Sequence, residues 1–178
     1  LALWDDMRLR EDYYARHSPG KDDRSRQRFR LRLAADVPMP HAVLLGLRFA
    51  SGTGEQVSTN QSMDNLSSQK GIWIDQAYLR WAPVLSDNGT AHLTGGRAPN
   101  PLWRTYSSDI LWDDDLNPEG FSQGVEWLFP GAGLTVFANG LQMVADEDAN
   151  TPRTQWEFST QVGAETAIIP LNTRLRIA

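Results

Sequence analysis

Residues 27–37 read QRFRLRLAADV, with Arg28, Arg30, Arg32, Ala34 and Asp36 at even positions and Phe29, Leu31, Leu33, Ala35 and Val37 at odd ones. Successive side chains of a strand point to opposite sides, so a period of two that separates charge from apolar bulk means a strand between two media. A helix would mix the two sets around its circumference. The alternation therefore restricts the chain to all-β architectures in which sheets carry one apolar and one polar face.

The same pattern runs through residues 4–16, where Trp4, Asp6, Arg8, Arg10, Asp12, Tyr14 and Arg16 alternate with Met7, Leu9, Tyr13 and Ala15. It returns in residues 42–51, with Val43, Leu45, Leu47 and Phe49 on one side and Arg48 on the other. Residues 72–83 and 91–97 flank Ser86-Asp87-Asn88-Gly89-Thr90, and Asn-Gly between apolar runs specifies a hairpin. Further strands are expected at 121–129, 134–144 and 154–168, and a last one opens after the turn 169–172. That makes about nine strands.

Their connections alternate in length. Residues 17–26, 52–71, 99–120 and 145–153 are long and polar, whereas Pro38-Met39-Pro40, the Asn-Gly turn and Pro130-Gly131-Ala132-Gly133 are short. Pro99 and Pro101 end the pairing before the third long loop, because proline has no N–H to donate to a ladder. Long loops at one end and tight turns at the other are expected of an antiparallel up-and-down transmembrane β-barrel. A soluble β-sandwich also alternates its faces, so the period alone leaves both open.

Composition bears on the choice. No stretch approaches the roughly 20 apolar residues of a membrane helix. The mean hydropathy of -0.45 is compatible with barrel strands, half of whose residues face water. The absence of cysteine removes disulfide stapling and thiolate metal sites, and a net charge of -5 gives no support for nucleic-acid binding. Trp4, Tyr13, Trp73, Trp81, Trp127 and Trp156 are expected to form aromatic girdles near strand ends, where amphipathic rings suit the lipid–water boundary. Tyr78, Trp103 and Phe121 also fall near strand ends.

Arg8, Arg10, Arg28, Arg30, Arg32 and Arg48 occupy the polar phase of three successive strands and are expected to form one basic wall. On a soluble sheet such a wall is a solvated face. In a barrel it lines the lumen, with guanidinium groups fixed by the interleaved Asp6, Asp12 and Asp36. The acids Asp113, Asp114, Asp115 and Glu119 are candidates for a facing constriction loop, or else are acids of a water-facing loop. A calcium site at Asp113 and Asp115 is a weaker reading, since the ligand spacing of an EF-hand is missing. No cofactor is expected.

Catalytic signatures are thin. His17, His41 and His92 are read as lying in or beside turns, and no serine has a nucleophile-elbow context. Gly95-Gly96-Arg97 lacks the Lys-Ser/Thr of a phosphate loop and instead suits a bend.

With these motifs in place, the chain resembles the putative porin family of Gram-negative outer membranes. The resemblance rests on MRLREDYYAR, RQRFRLRLAA, GLRFASG (46–52), STNQSM (58–63), IDQAYLRW (74–81), GGRAPNPLW (95–103) and WDDDLNPEGFS (112–122). It implies a closed barrel in the bacterial outer membrane, a water-filled pore, and solutes that cross by diffusion without enzymatic chemistry. About nine strands fall short of the 16 to 18 typical of such pores. The expectation is one β-barrel domain over 1–178, a mature or trimmed piece in which no signal peptide is visible, with the missing strands either cut off at the C-terminal end or supplied by another chain. Outer-membrane lipid is the expected partner, with other envelope proteins or a homotrimer as further ones. Two competing functions remain: a non-conducting scaffold barrel around partner proteins, and a soluble all-β carbohydrate-binding module.

Overall fold

The computed structural model describes residues 1–16, 20, 22–105, 112–147, 153–168 and 173–178. The turn expected at 169–172, His17, and parts of the loops expected at 17–26, 99–120 and 145–153 lie outside these residues. The strands are β1 (Ala2–Tyr14), β2 (Arg24–Met39), β3 (Val43–Ser51), β4 (Gln61–Ser62), β5 (Ile72–Trp81) and β6 (Val84–Ser86). They continue with β7 (Gly89–Arg97), β8 (Glu119–Phe129), β9 (Leu134–Asp146), β10 (Gln155–Ile168) and β11 (Thr173–Ile177).

Nine of these form one antiparallel up-and-down path in the order β1-β2-β3-β5-β7-β8-β9-β10-β11. The two short strands are appendages: β4 extends the sheet beside β2 where β3 ends, and β6 pairs with β7. The sheet is open, with β1 and β11 as its outer members among the described residues. The alternation of long and short connections holds throughout, which places all four long loops at one end.

Two local features shape the sheet where function is to be sought. Between β3 and β5 the register shifts after Arg48, so that Arg48 faces Gln76 and Phe49 faces Ile74, leaving Asp75 as the extra residue of a bulge. Gly96 and Gly120 are opposed on β7 and β8 at the mouth of the third long loop, with φ of 117° and 152°. A Cβ on Gly96 would meet the Ala77 carbonyl oxygen at 2.4 Å, so glycine alone lets the strand bend there.

The two faces differ as the period of two predicts, but neither is a conventional core. The enclosed apolar residues are Ala34, Ala50, Ala98, Phe137 and Leu141, outnumbered by enclosed polar ones such as Thr59, Asn60, Asp75, Gln76 and Asn117. The apolar face remains open: Leu9 is 67% exposed, Phe158 72% and Val162 73%. In a soluble sandwich that face would be covered by a second sheet. Here the polar face is the covered one, and its cover is made of loops.

His92 lies inside β7, with Gly124 opposite it, and not beside a turn as its sequence neighbourhood suggested. Pro38 and Met39 belong to β2, and the turn begins at Pro40. A proline at a strand end is tolerated because its missing donor is needed only in the interior of a ladder.

Candidate functional site

The basic wall forms as the alternation requires. Arg8 is opposite Arg30, Arg10 opposite Arg28 and Asp6 opposite Arg32, while Arg48 of β3 is opposite Ala34 on the same face. Its members have different surroundings. Arg32 pairs with Asp115, donates to Thr59 Oγ1 at 2.7 Å and lies 4.0 Å from Asp6. Arg48 pairs with Asp75, stands 5.9 Å above the ring of Trp4, and lies within 3.1 Å of the amide of Gln76. Each of these two arginines has a close carboxylate of its own.

Two long loops fold over the wall. In residues 52–71, Asn60 Oδ1 accepts from Arg8 at 2.6 Å and Asn60 O from Arg28 at 3.1 Å, while Ser51 Oγ donates to Thr59 O at 3.0 Å. In the third long loop, of which residues 98–105 and 112–118 are described, Asn117 donates to Asp75 Oδ1 at 2.8 Å. The same loop reaches the far side of the sheet. The Trp103 N–H donates to Gln161 Oε1 at 2.7 Å, and Gln161 Nε2 donates back to Trp103 O at 2.6 Å. Arg176 of β11 lies 5.2 Å from the Trp103 ring and 4.1 Å from that of Phe137. The loop thus crosses the polar face from β2 to β10, six strands along the path.

Polar clefts remain beside the crossing loop. One of about 310 Å³ lies among Thr59, Trp73, Asp75, Arg97 and Asp115. A second of about 270 Å³ lies among Trp4, Arg48, Tyr78, Arg104 and Asn117, and a third of about 360 Å³ among Arg80, His92, Trp103, Glu126 and Arg176.

Of the four candidate loop acids, Asp115 alone meets the basic wall. Asp114 pairs with Arg104 of the same loop, and Glu119 Oε1 accepts from Arg97 at 2.7 Å across the strand pair. Asp113 Oδ1 accepts from the Asp115 N–H at 2.7 Å, which shapes the turn. The carboxylates expected to share a calcium ion are therefore engaged elsewhere, and no group of three His, Cys, Asp or Glu able to hold a metal occurs among the described residues.

The aromatic expectation divides. Tyr13 and Trp156 lie at the long-loop end of the apolar face, and Trp81 and Trp127 at the short-turn end. Trp4 is on the arginine face under Arg48, because its parity is that of Asp6 and Arg8. Trp73 is turned inward by the Asp75 bulge, and its Nε1 donates to Gly52 O at 2.9 Å.

Sequence reasoning missed Asp75, Asn60, Asn117, Trp103, Gln161 and Arg176 as members of the site. The family description putative porin fits residues 6–178 of the chain. No curated protein and no solved structure matches it.

Proposed function

This chain belongs to the putative porin family, and with it goes a porin-like outer-membrane role; on that premise we propose that its polar face lines a diffusion pore for small hydrophilic solutes or ions. The observation that carries this reading is the third long loop, whose described segments are tied to β2 through Asp115 and Arg32 (112–118) and to β10 through Trp103 and Gln161 (98–105). A loop held across the polar face narrows an aqueous path without filling it, and clefts of about 270 to 360 Å³ stay open beside it.

Charge placement gives the path a transverse field. Arginines crowd the β1–β2 side, and water-excluding walls strengthen their effect on a passing ion. The apolar face, with Leu9, Phe158 and Val162 exposed, is assigned to lipid, and Tyr13, Trp81, Trp127 and Trp156 to its two boundaries. This sheet then supplies part of a closed barrel, because an open edge is not tolerated in hydrocarbon.

Liposome swelling tests the reading. Vesicles carrying the folded protein should swell in small sugars and more slowly in larger ones. Heat-resistant, membrane-inserted protein that leaves vesicles impermeable would instead support the scaffold barrel. Protein that stays soluble and binds sugar without detergent would support the carbohydrate-binding module.

A further inference from the structure

On β1 and β2 the arginines face one another directly, Arg8 against Arg30 and Arg10 against Arg28. Like charges at opposed positions repel, so something must offset them. The local carboxylates do this only in part. Asp12 serves Arg10, Arg26 and Arg28 together, while Asp6 serves Arg30 and Arg32. Asp115 is committed to Arg32. Five arginines therefore share three carboxylates, and Arg8, the sixth, has none among the described residues. Among the described residues, the one side-chain bond of Arg8 is the donation to Asn60 Oδ1 at 2.6 Å.

A second observation points the same way. The Nε atoms of Arg8, Arg26, Arg28 and Arg30 are enclosed and have no acceptor among the described residues. Enclosed donors on a cation are expensive to leave unmet, and three of these four, on Arg8, Arg28 and Arg30, belong to the wall, which amounts to a shared lack of acceptors. The three other wall arginines show the contrast, since Arg10, Arg32 and Arg48 each pair closely with a carboxylate, Asp12, Asp115 and Asp75, and none has an enclosed Nε without an acceptor. The wall thus has a tied half and an unmet half.

We propose that Arg8, Arg28 and Arg30 form a binding station for a small tetrahedral oxyanion of the phosphate or sulfate class. Such an anion brings several acceptors and a compact negative charge, and the guanidinium fork matches it in two-bond fashion better than a point charge would. It comes from solution and not from a lipid headgroup, because these arginines lie on the face opposite the exposed apolar one. Asn60 and Ser58, which bond Arg8 and Arg28, hold the guanidinium groups in place on the loop side. The inference deepens the pore reading by naming the solute class its wall retains.

Calorimetry with inorganic phosphate on the folded protein in detergent tests it, with planar-bilayer recording beside it. Wild type should bind phosphate saturably, and Arg8→Gln with Arg30→Gln should weaken binding at least tenfold. Arg8→Lys keeps the charge but loses the fork, and should weaken binding several-fold. This variant decides the matter if the double variant does not fold. Absence of saturable binding to wild type, or unchanged binding in a folded variant, overturns the proposal. Conductance without phosphate binding would remove this station and leave the pore standing. Phosphate binding without conductance would keep the station and remove the pore.

Discussion

Arg32 of β2 and Asp115 of the crossing loop, 83 residues apart in sequence, form an ion pair that fastens the loop to the basic wall. Both side chains are largely enclosed, at 13% and 15% exposure, so solvent screens the pair little. Removing Arg32 leaves Asp115 without its ion-pair partner, and removing Asp115 leaves Arg32 only the shared Asp6 at 4.0 Å. Single replacement by alanine should weaken loop docking by about 1.5–3 kcal/mol, with a coupling of similar size in the double-mutant cycle. Hydrogen exchange of the amides of residues 112–117 reads this directly. Protection unchanged in both single variants would show that the pair does not hold the loop.

The far tether gives an independent expectation. Gln161 holds both backbone groups of Trp103, and replacement by leucine removes two hydrogen bonds worth about 0.5–1.5 kcal/mol each. The Trp103 amide should then exchange faster while that of Asp115 does not. Equal acceleration at both would mean that the loop docks as one unit.

How much of this was legible in the chain depends on whether the relevant physics is local. The strands were readable because a two-residue period needs only neighbours, and the turns because Asn-Gly and Pro-Gly constrain their own backbone. The basic face was readable for the same reason. The pairings within it were not, since nothing near Arg32 indicates that its partner lies in the loop between β7 and β8, three to four strands along the sheet path. Asp75 did carry a signal. It shares odd parity with Ala77, Leu79 and Trp81, and a carboxylate at an apolar-phase position implies a bulge that returns it to the polar face. The same bulge flips Trp73 inward, which is why a girdle position inferred from strand-end placement failed there. Trp4 failed for a simpler reason, since its parity already placed it with the arginines.

The assignment of faces predicts opposite responses to charge. Val162 sits mid-strand on β10 at 73% exposure, next to the inward Gln161. Val162→Arg should cost about 2–4 kcal/mol of folding stability in a bilayer, while Ser159→Arg on the polar parity should cost little. Urea titrations in lipid vesicles measure both. Equal costs would show that the apolar face does not meet lipid.

Gly96 offers a test of the loop mouth. An added methyl would stand 2.4 Å from the Ala77 oxygen at a φ of 117°, so Gly96→Ala should destabilise the fold by about 1–3 kcal/mol. Gly131→Ala meets no atom within 4 Å and serves as the control. Comparable melting shifts for the two would contradict the bend.

At the first long loop, Asp23 accepts from Tyr13 Oη at 2.6 Å and from the Arg16 N–H at 2.8 Å. The Tyr13 hydroxyl first, then the Arg16 amide, hold its carboxyl below the usual carboxylate range. A carboxyl lowered on folding stabilises above its unfolded pKa, and that contribution is lost as pH falls through the folded value. The clamp should therefore persist through mild acid and open only below the ordinary carboxylate range. The Arg16 amide shift followed against pH, with Asp23→Asn beside it, would reveal an earlier release if this is wrong.

A polar face that conducts, narrowed by the crossing loop, has a direct electrical signature. Single-channel recording of the folded protein in a planar bilayer, wild type against Asp115→Ala, tests it most directly. Discrete steps in wild type that become larger when the Asp115 tether is lost are the predicted result. A protein that inserts as heat-resistant β-structure yet passes no current in either form would contradict it.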